Sequence, residues 1–127
     1  MGAALSVRRA DYGNAADAVA VVAMLDAYAS DPAGGGEPLS DFAKLNLVRE
    51  LAARPQAYSV LAFDGEQPVG LVNCIEGFSS FACKPLVNVH DVAVLGSHRG
   101  RGIAEQMLAL AEVIAVERGA VKMTLEV

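Results

Sequence analysis

The chain lacks an apolar run long enough to cross a bilayer. The longest, Ala18–Leu25, falls far short of the roughly 20 residues a spanning helix needs, so no membrane segment is expected. Its start, Met-Gly-Ala-Ala-Leu, has no basic region followed by an extended apolar core, which argues against a secretory signal. Gly2 with Ser6 matches an acylation start only superficially, because the residues that follow read as a strand. Basic residues are in short supply: 10 Lys and Arg against 15 Asp and Glu give a formal net charge of −5, which speaks against an extended nucleic-acid surface. Cysteine is scarce too. Cys74 and Cys83 stand at no metal-ligand spacing, so a zinc site has no support, and reduced thiols in a cytoplasmic protein are the expectation. Repeats are missing, and the only low-complexity feature is Gly34-Gly35-Gly36.

What is present is a chain of 127 residues with 54% apolar content, enough for one core and one domain spanning 1–127. Ala4–Ala10 reads as a strand with Leu5 and Val7 on one face and Ser6 and Arg8 on the other. Asn14 is a candidate N-cap for a helix from about Ala15 to Ala29, with Val19, Val22 and Ala23 as its buried stripe. Pro32 and the three glycines forbid helix, and Ser40 restarts one that runs to about Ala53, with Phe42, Leu45, Val48 and Leu51 as its apolar side. Ala57–Phe63 and Val69–Phe78 then form a hairpin through Asp64-Gly65-Glu66-Gln67, and Leu86–Val94 pairs with it across an irregular link from Ser79 to Pro85. A helix from about Gly102 to Arg118, closed by Gly119, leads into a last alternating strand, Val121–Val127.

The organising stretch is Val87–Ala104, a strand that runs through a glycine-rich turn into a helix N-terminus. The first amides of a helix have no internal partner, and the peptide dipoles place partial positive charge there, so such a turn suits phosphate oxygens; Arg99 and Arg101 add full charges. On an acidic protein this cluster, with His98 beside it, fits a small polyanion better than a polymer. Two common nucleotide motifs fail the test. A dinucleotide fingerprint on Gly100 and Gly102 needs Gly or Ala where Glu105 stands, and a Walker loop needs a Gly-Lys-Ser/Thr sequence that is missing.

Arg99-x-x-Gly102-x-Ala104 after a strand ending Asp91-Val92-Ala93-Val94 closely resembles the acetyl-CoA pyrophosphate loop, Gln/Arg-x-x-Gly-x-Gly/Ala, of the GNAT superfamily of N-acetyltransferases. The order of elements carries the resemblance from the first strand to the last residue. It implies an α+β (α/β) fold, a mixed and mostly antiparallel sheet flanked by helices in the order β-α-α-β-β-β-α-β. It also implies an activity: transfer of an acetyl group from acetyl-CoA to the amine of a small molecule or peptide by direct attack on the thioester, with no metal. The alternative is a non-catalytic acyl-CoA-binding or dimerising module on the same fold.

By the same resemblance, backbone groups of Val92, Ala93 and Val94 pair with the pantetheine arm beside a strand bulge. The amides across Arg99, Gly100, Arg101, Gly102, Ile103 and Ala104 hold the pyrophosphate, and the segment between the first two helices borders the acceptor.

For the base, period two groups Asn88, His90 and Val92 on one face and sets Asp91 opposite. His90 is the first candidate, since an imidazole titrates near neutral pH and relatives that acetylate arylalkylamines carry histidines at the positions matching Asn88 and His90; the other reading is a satisfied histidine lining a sheet. Glu76 on the neighbouring strand is the second, against a solvated strand residue. Asp91 reads as fixing backbone or a cation on the other face, and His98 as a phosphate-side or surface residue.

The family pattern continues past the strand matching Val121–Val127 with an Asn-containing turn, a helix bearing a tyrosine general acid, and a hairpin. The general acid is therefore unassigned here, and the outer edge of Val121–Val127 is expected to pair with a second copy as a homodimer.

Overall fold

The computed structural model describes residues 5–126; Ala4, Gly2 of the acylation match and Val127 lie outside them. Five strands form one sheet in chain order: β1 (Leu5–Arg9), β2 (Ala57–Asp64), β3 (Gln67–Ser79), β4 (Lys84–Val94) and β5 (Met123–Leu125). The first three pairings are antiparallel; β4 and β5 run parallel, joined by α3 (Ile103–Glu117). Helices α1 (Ala15–Ser30) and α2 (Asp41–Ala52) connect β1 to β2. The expected α+β order is the observed one.

The sheet separates two apolar layers. On one face α3 places Ile103, Met107, Ala111 and Ile114 against Tyr58, Val60, Val72, Cys74, Val87 and Val89. On the other, Ala20, Val21 and Met24 of α1 pack on Leu61, Phe63, Leu71 and Ala93, with Leu47, Val48 and Leu51 of α2 at the margin. Asn14 caps α1 by accepting from the Asp17 N–H at 3.0 Å, and Ser40 caps α2 by accepting from the Ala43 N–H at 3.1 Å.

Three expectations need correction. The buried stripe of α1 is Asp17, Ala20, Val21 and Met24, and Val19 is 70% exposed. Apolar residues surround this helix, so their spacing selects no face. The decisive residue is charged: Asp17 is pulled inward by an ion pair with Arg8 and by the Asp11 N–H, which donates to it at 2.9 Å. On α2, Phe42 and Leu45 are exposed while Asn46 is buried, its amide donating to the Phe42 carbonyl at 2.9 Å. Val19, Val22, Leu45 and Val48 instead line an open groove between the two helices. The β3–β4 link is shorter than the sequence suggests, because Ser79 and Lys84 still pair and Cys83 turns the chain at φ 56°.

Candidate active site

β4 carries the first feature. Its register against β3 pairs Cys74 with Val89 and Asn73 with Asp91, which leaves His90 unopposed as a bulge. A single extra residue reverses the alternation. Val87 and Val89 lie on the α3 side, Val92 and Val94 pack on that same layer, and Ala93 joins the α1 layer. Val92 is therefore not grouped with Asn88, and Asp91 is not opposite it. Asp91 faces the α1 side, where its carboxylate accepts from the Asn73 side-chain amide at 3.1 Å. His90 is exposed at the bend.

The second feature is the half of β4 that lies beyond its pairing with β5. Among the described residues the two strands pair across Val87–Val89, and the Glu126 N–H donates to the Val89 carbonyl at 2.9 Å. Asn88 adds a side-chain tie between the two strands by donating to the Thr124 hydroxyl at 2.7 Å. Beyond it, the ladder with β3 continues to the Leu95 N–H, which donates to the Val69 carbonyl at 2.9 Å. Alternation along an antiparallel ladder then directs the peptide groups of Ala93 to Leu71 and turns those of Val92 and Val94 away from β3.

The third feature follows at the C-terminal end of β4. Gly100 and Gly102 hold left-handed conformations at φ 78° and 77°, and a Cβ on either would meet nothing within 4 Å. Gly102 is the N-cap of α3, and no side chain caps that helix, in contrast to α1 and α2. Its first internal bond runs from the Gln106 N–H to the Gly102 carbonyl, leaving the amides of Ile103, Ala104 and Glu105 without a helical partner. These residues, with Val94, His98, Arg99 and Gly100, line a cavity of about 280 Å³. Open amides, glycines that admit close approach and the positive end of a 15-residue helix are suited to a diphosphate. The residues present therefore fit the phosphate end of a coenzyme.

His98 proves to be a buried anchor of this loop. Its Nε2 lies 2.8 Å from an Asp64 carboxylate oxygen on the β2–β3 hairpin, and its Nδ1 lies 2.7 Å from the Ser97 hydroxyl. Arg99 donates through Nε to the Val94 carbonyl at 3.1 Å and through Nη2 to Asp31 at 3.3 Å. Arg101 is exposed. Glu76 shares the α3 side with Cys74, and Arg118 donates to it at 3.1 Å while also donating to the Pro55 carbonyl at 3.0 Å. That engagement places Glu76 at the C-terminal end of α3, on the face opposite Asp91.

A polar row on the α1 face has no signature in the sequence. The Ser59 hydroxyl donates to the Asn73 side-chain oxygen at 2.6 Å, so Ser59 has only its lone pairs for Tyr12, whose hydroxyl donates to it at 2.7 Å. Asn73 in turn donates to Asp91. Ser59 and Asn73 are buried, and burial pushes the Tyr12 phenol above its ordinary pKa. Among the described residues no group of three His, Cys, Asp or Glu could hold a metal, and no helix is long and apolar enough to cross a membrane.

Residues 21–127 match the model of the acetyltransferase (GNAT) family. No curated protein sequence matches the chain. Among solved structures, it is similar to a ribosomal-protein-alanine N-acetyltransferase from Brucella melitensis biovar Abortus, at 20% identity over 97% of this chain and 79% of that one, with a TM-score of 0.76. It is similar to a transcriptional regulator from Bacillus halodurans at 21% identity, covering 98% and 82% of the two chains, with a TM-score of 0.80. An aminoglycoside acetyltransferase from an uncultured soil metagenomic sample follows at 16%, covering 97% and 77%, with a TM-score of 0.78. At such identities these likenesses establish the fold, and their different descriptions show how many roles it serves. With the family model spanning most of the chain and the bulge and glycine loop in sequence along it, the chain belongs to the acetyltransferase (GNAT) family.

Proposed function

We propose that the chain is an acetyl-CoA-dependent N-acetyltransferase acting on the amine of a small molecule or peptide. The observation that supports this best is the continuity of one surface, from the bulge at His90, past the outward peptide groups of Val92 and Val94, to the uncapped start of α3. Acetyl-CoA, when bound, supplies an acetyl thioester. Val92 and Val94 offer backbone donors and acceptors to an extended amide-bearing arm, as one strand offers them to another. The amides of Ile103, Ala104 and Glu105 and the guanidinium of Arg99 receive diphosphate oxygens. Arg101 adds positive charge at the rim.

Attack on a thioester requires a neutral amine, so an ammonium acceptor must first lose a proton. His90 at the bulge is the group we assign to that step, with Asp91 beside it as the anion that draws the ammonium in. Glu76, committed to Arg118, is assigned a structural part. Association with a second copy is further proposed, through the apolar surface at Val121 and Leu125, both about half exposed. Sedimentation over a range of concentrations tests this: a monomer throughout would sink it.

The central test is a thiol-release assay with acetyl-CoA and a panel of amines, run beside CoA titration. The parent chain is expected to turn over at least one amine. Gly102→Asp, which puts a carboxylate where the diphosphate belongs, is expected to weaken CoA binding by about two orders of magnitude; its Cβ meets no neighbour, and the strain of a side chain at φ 77° is expected to lower stability without preventing folding. Unchanged affinity in the folded variant would remove the loop assignment. CoA binding without any turnover would favour a non-catalytic acyl-CoA-binding module.

A further inference from the structure

Arg99 stands between two cavities. One is the cavity at the start of α3; the other, of about 120 Å³, lies on the α1 side between Met24, Tyr28, Asp31 and the end of β4, and Val94 and Arg99 are walls of both. The guanidinium bridges these sides through the Asp31 carboxylate at 3.3 Å and the Val94 carbonyl at 3.1 Å. Asp31 is also the organiser of the α1–α2 connection. Its carbonyl accepts from the Gly34 and Gly36 amides at 2.8 and 3.0 Å, and its other carboxylate oxygen accepts from the Ala33 amide at 2.9 Å.

We infer that Arg99 is a latch shared by the coenzyme and acceptor sides of the active site: a diphosphate on the α3 amides competes with Asp31 for the guanidinium, and its binding loosens the α1–α2 connection and opens the α1-side cavity to the acceptor. This rests on the coenzyme reading above. The competition is chemically one-sided, since a diphosphate brings more charge than a carboxylate and is held by the helix amides as well. The pair it displaces is also a weak one, with the Arg99 and Asp31 side chains 59% and 32% exposed. Arg99 leaving also frees the Val94 carbonyl, one of the groups that point away from β3. Asp31 therefore acts as a positioning residue, working through Arg99 and opposing coenzyme binding.

Calorimetric titration with CoA, without acetyl transfer, tests the latch. Asp31→Asn keeps an acceptor for the Ala33 amide and removes the charge, so it is expected to tighten CoA binding about two- to fivefold, the range that an exposed ion pair commands. The same substitution made in Arg99→Gln is expected to leave affinity unchanged, which separates loss of the latch from a general gain in positive potential. In the parent, CoA is expected to speed hydrogen exchange at Ala33, Gly34 and Gly36 while slowing it at Ile103 and Ala104. Unchanged or weaker CoA binding by Asp31→Asn, or an equal tightening in both backgrounds, overturns the latch and leaves the coenzyme reading standing. A parent chain that binds no CoA overturns both.

Discussion

At the scale of single residues, the bulge at His90 decides which side chains share the acceptor face. Without it, strict alternation would send Asp91 to the α3 layer and bring Val92 beside Asn88. With it, Asp91 lies on the α1 side, held by Asn73. The two neighbours are therefore assigned different tasks, and different kinetics should report them. His90→Gln is expected to lower turnover by about a hundredfold with CoA affinity retained, as loss of a general base does. Asp91→Asn is expected to raise the KM for the amine several-fold and to disturb turnover less. If the pH–rate profile of His90→Gln overlays the parent's after scaling, the base lies elsewhere. If both substitutions change only stability, the whole face has been misassigned.

The elements show what was legible and what was not. Four strands and three helices stand close to where spacing and punctuation place them, because alternation, caps at Asn14 and Ser40, and glycines at turns are local properties of the chain; the last strand, expected over Val121–Val127, is only Met123–Leu125 among the described residues. The cradle at Gly100 and Gly102 was legible for the same reason: only its neighbours in sequence make it. The row from Tyr12 to Asp91 was not, since it joins residues from a loop and three strands whose facing depends on register and on one bulge. The inner face of α1 departs from its apolar spacing on different grounds. An apolar helix has no distinct stripe, and its docking is fixed by a carboxylate that hydrophobic periodicity passes over. That gives α1 a definite weak point. Asp17→Ala leaves Arg8 and the Asp11 N–H without their acceptor beside a buried methyl, and is expected to cost about 2–4 kcal/mol of unfolding free energy in chemical denaturation. Val19→Ala on the exposed side of the same helix should cost under about 0.5 kcal/mol. Equal losses from the two would mean that the stripe at 19, 22 and 23 is the packed one after all.

The whole molecule joins these elements through a core that contains ionisable groups, and this gives its stability a pH dependence apart from catalysis. Burial pushes the Cys74 thiol from 9.0 up to about 11. Burial also raises the phenols of Tyr58 and Tyr12, with the neighbouring Cys74 adding to the rise at Tyr58. Tyr58 donates to the Ala111 carbonyl at 2.8 Å beneath α3, so its hydroxyl must stay protonated for the helix to remain seated. For groups whose folded value is raised, the unfolded chain gives up its proton first. Their stabilising effect is intact below the unfolded value and is lost as pH climbs towards the folded one. Each such group removes at most about 1.4 kcal/mol per pH unit within its window. The unfolding free energy of the chain should therefore begin to fall near pH 9 and fall faster above pH 10 as the tyrosines join. Cys74→Ala lowers stability at neutral pH by loss of packing, yet it should flatten the decline between pH 9 and pH 11, because it removes one titrating group and one cause of the rise at Tyr58. Denaturant titrations of parent and variant at half-unit steps across that range read the two slopes. Parallel curves would mean that the thiol has no part in the alkaline transition, leaving the phenols to account for it.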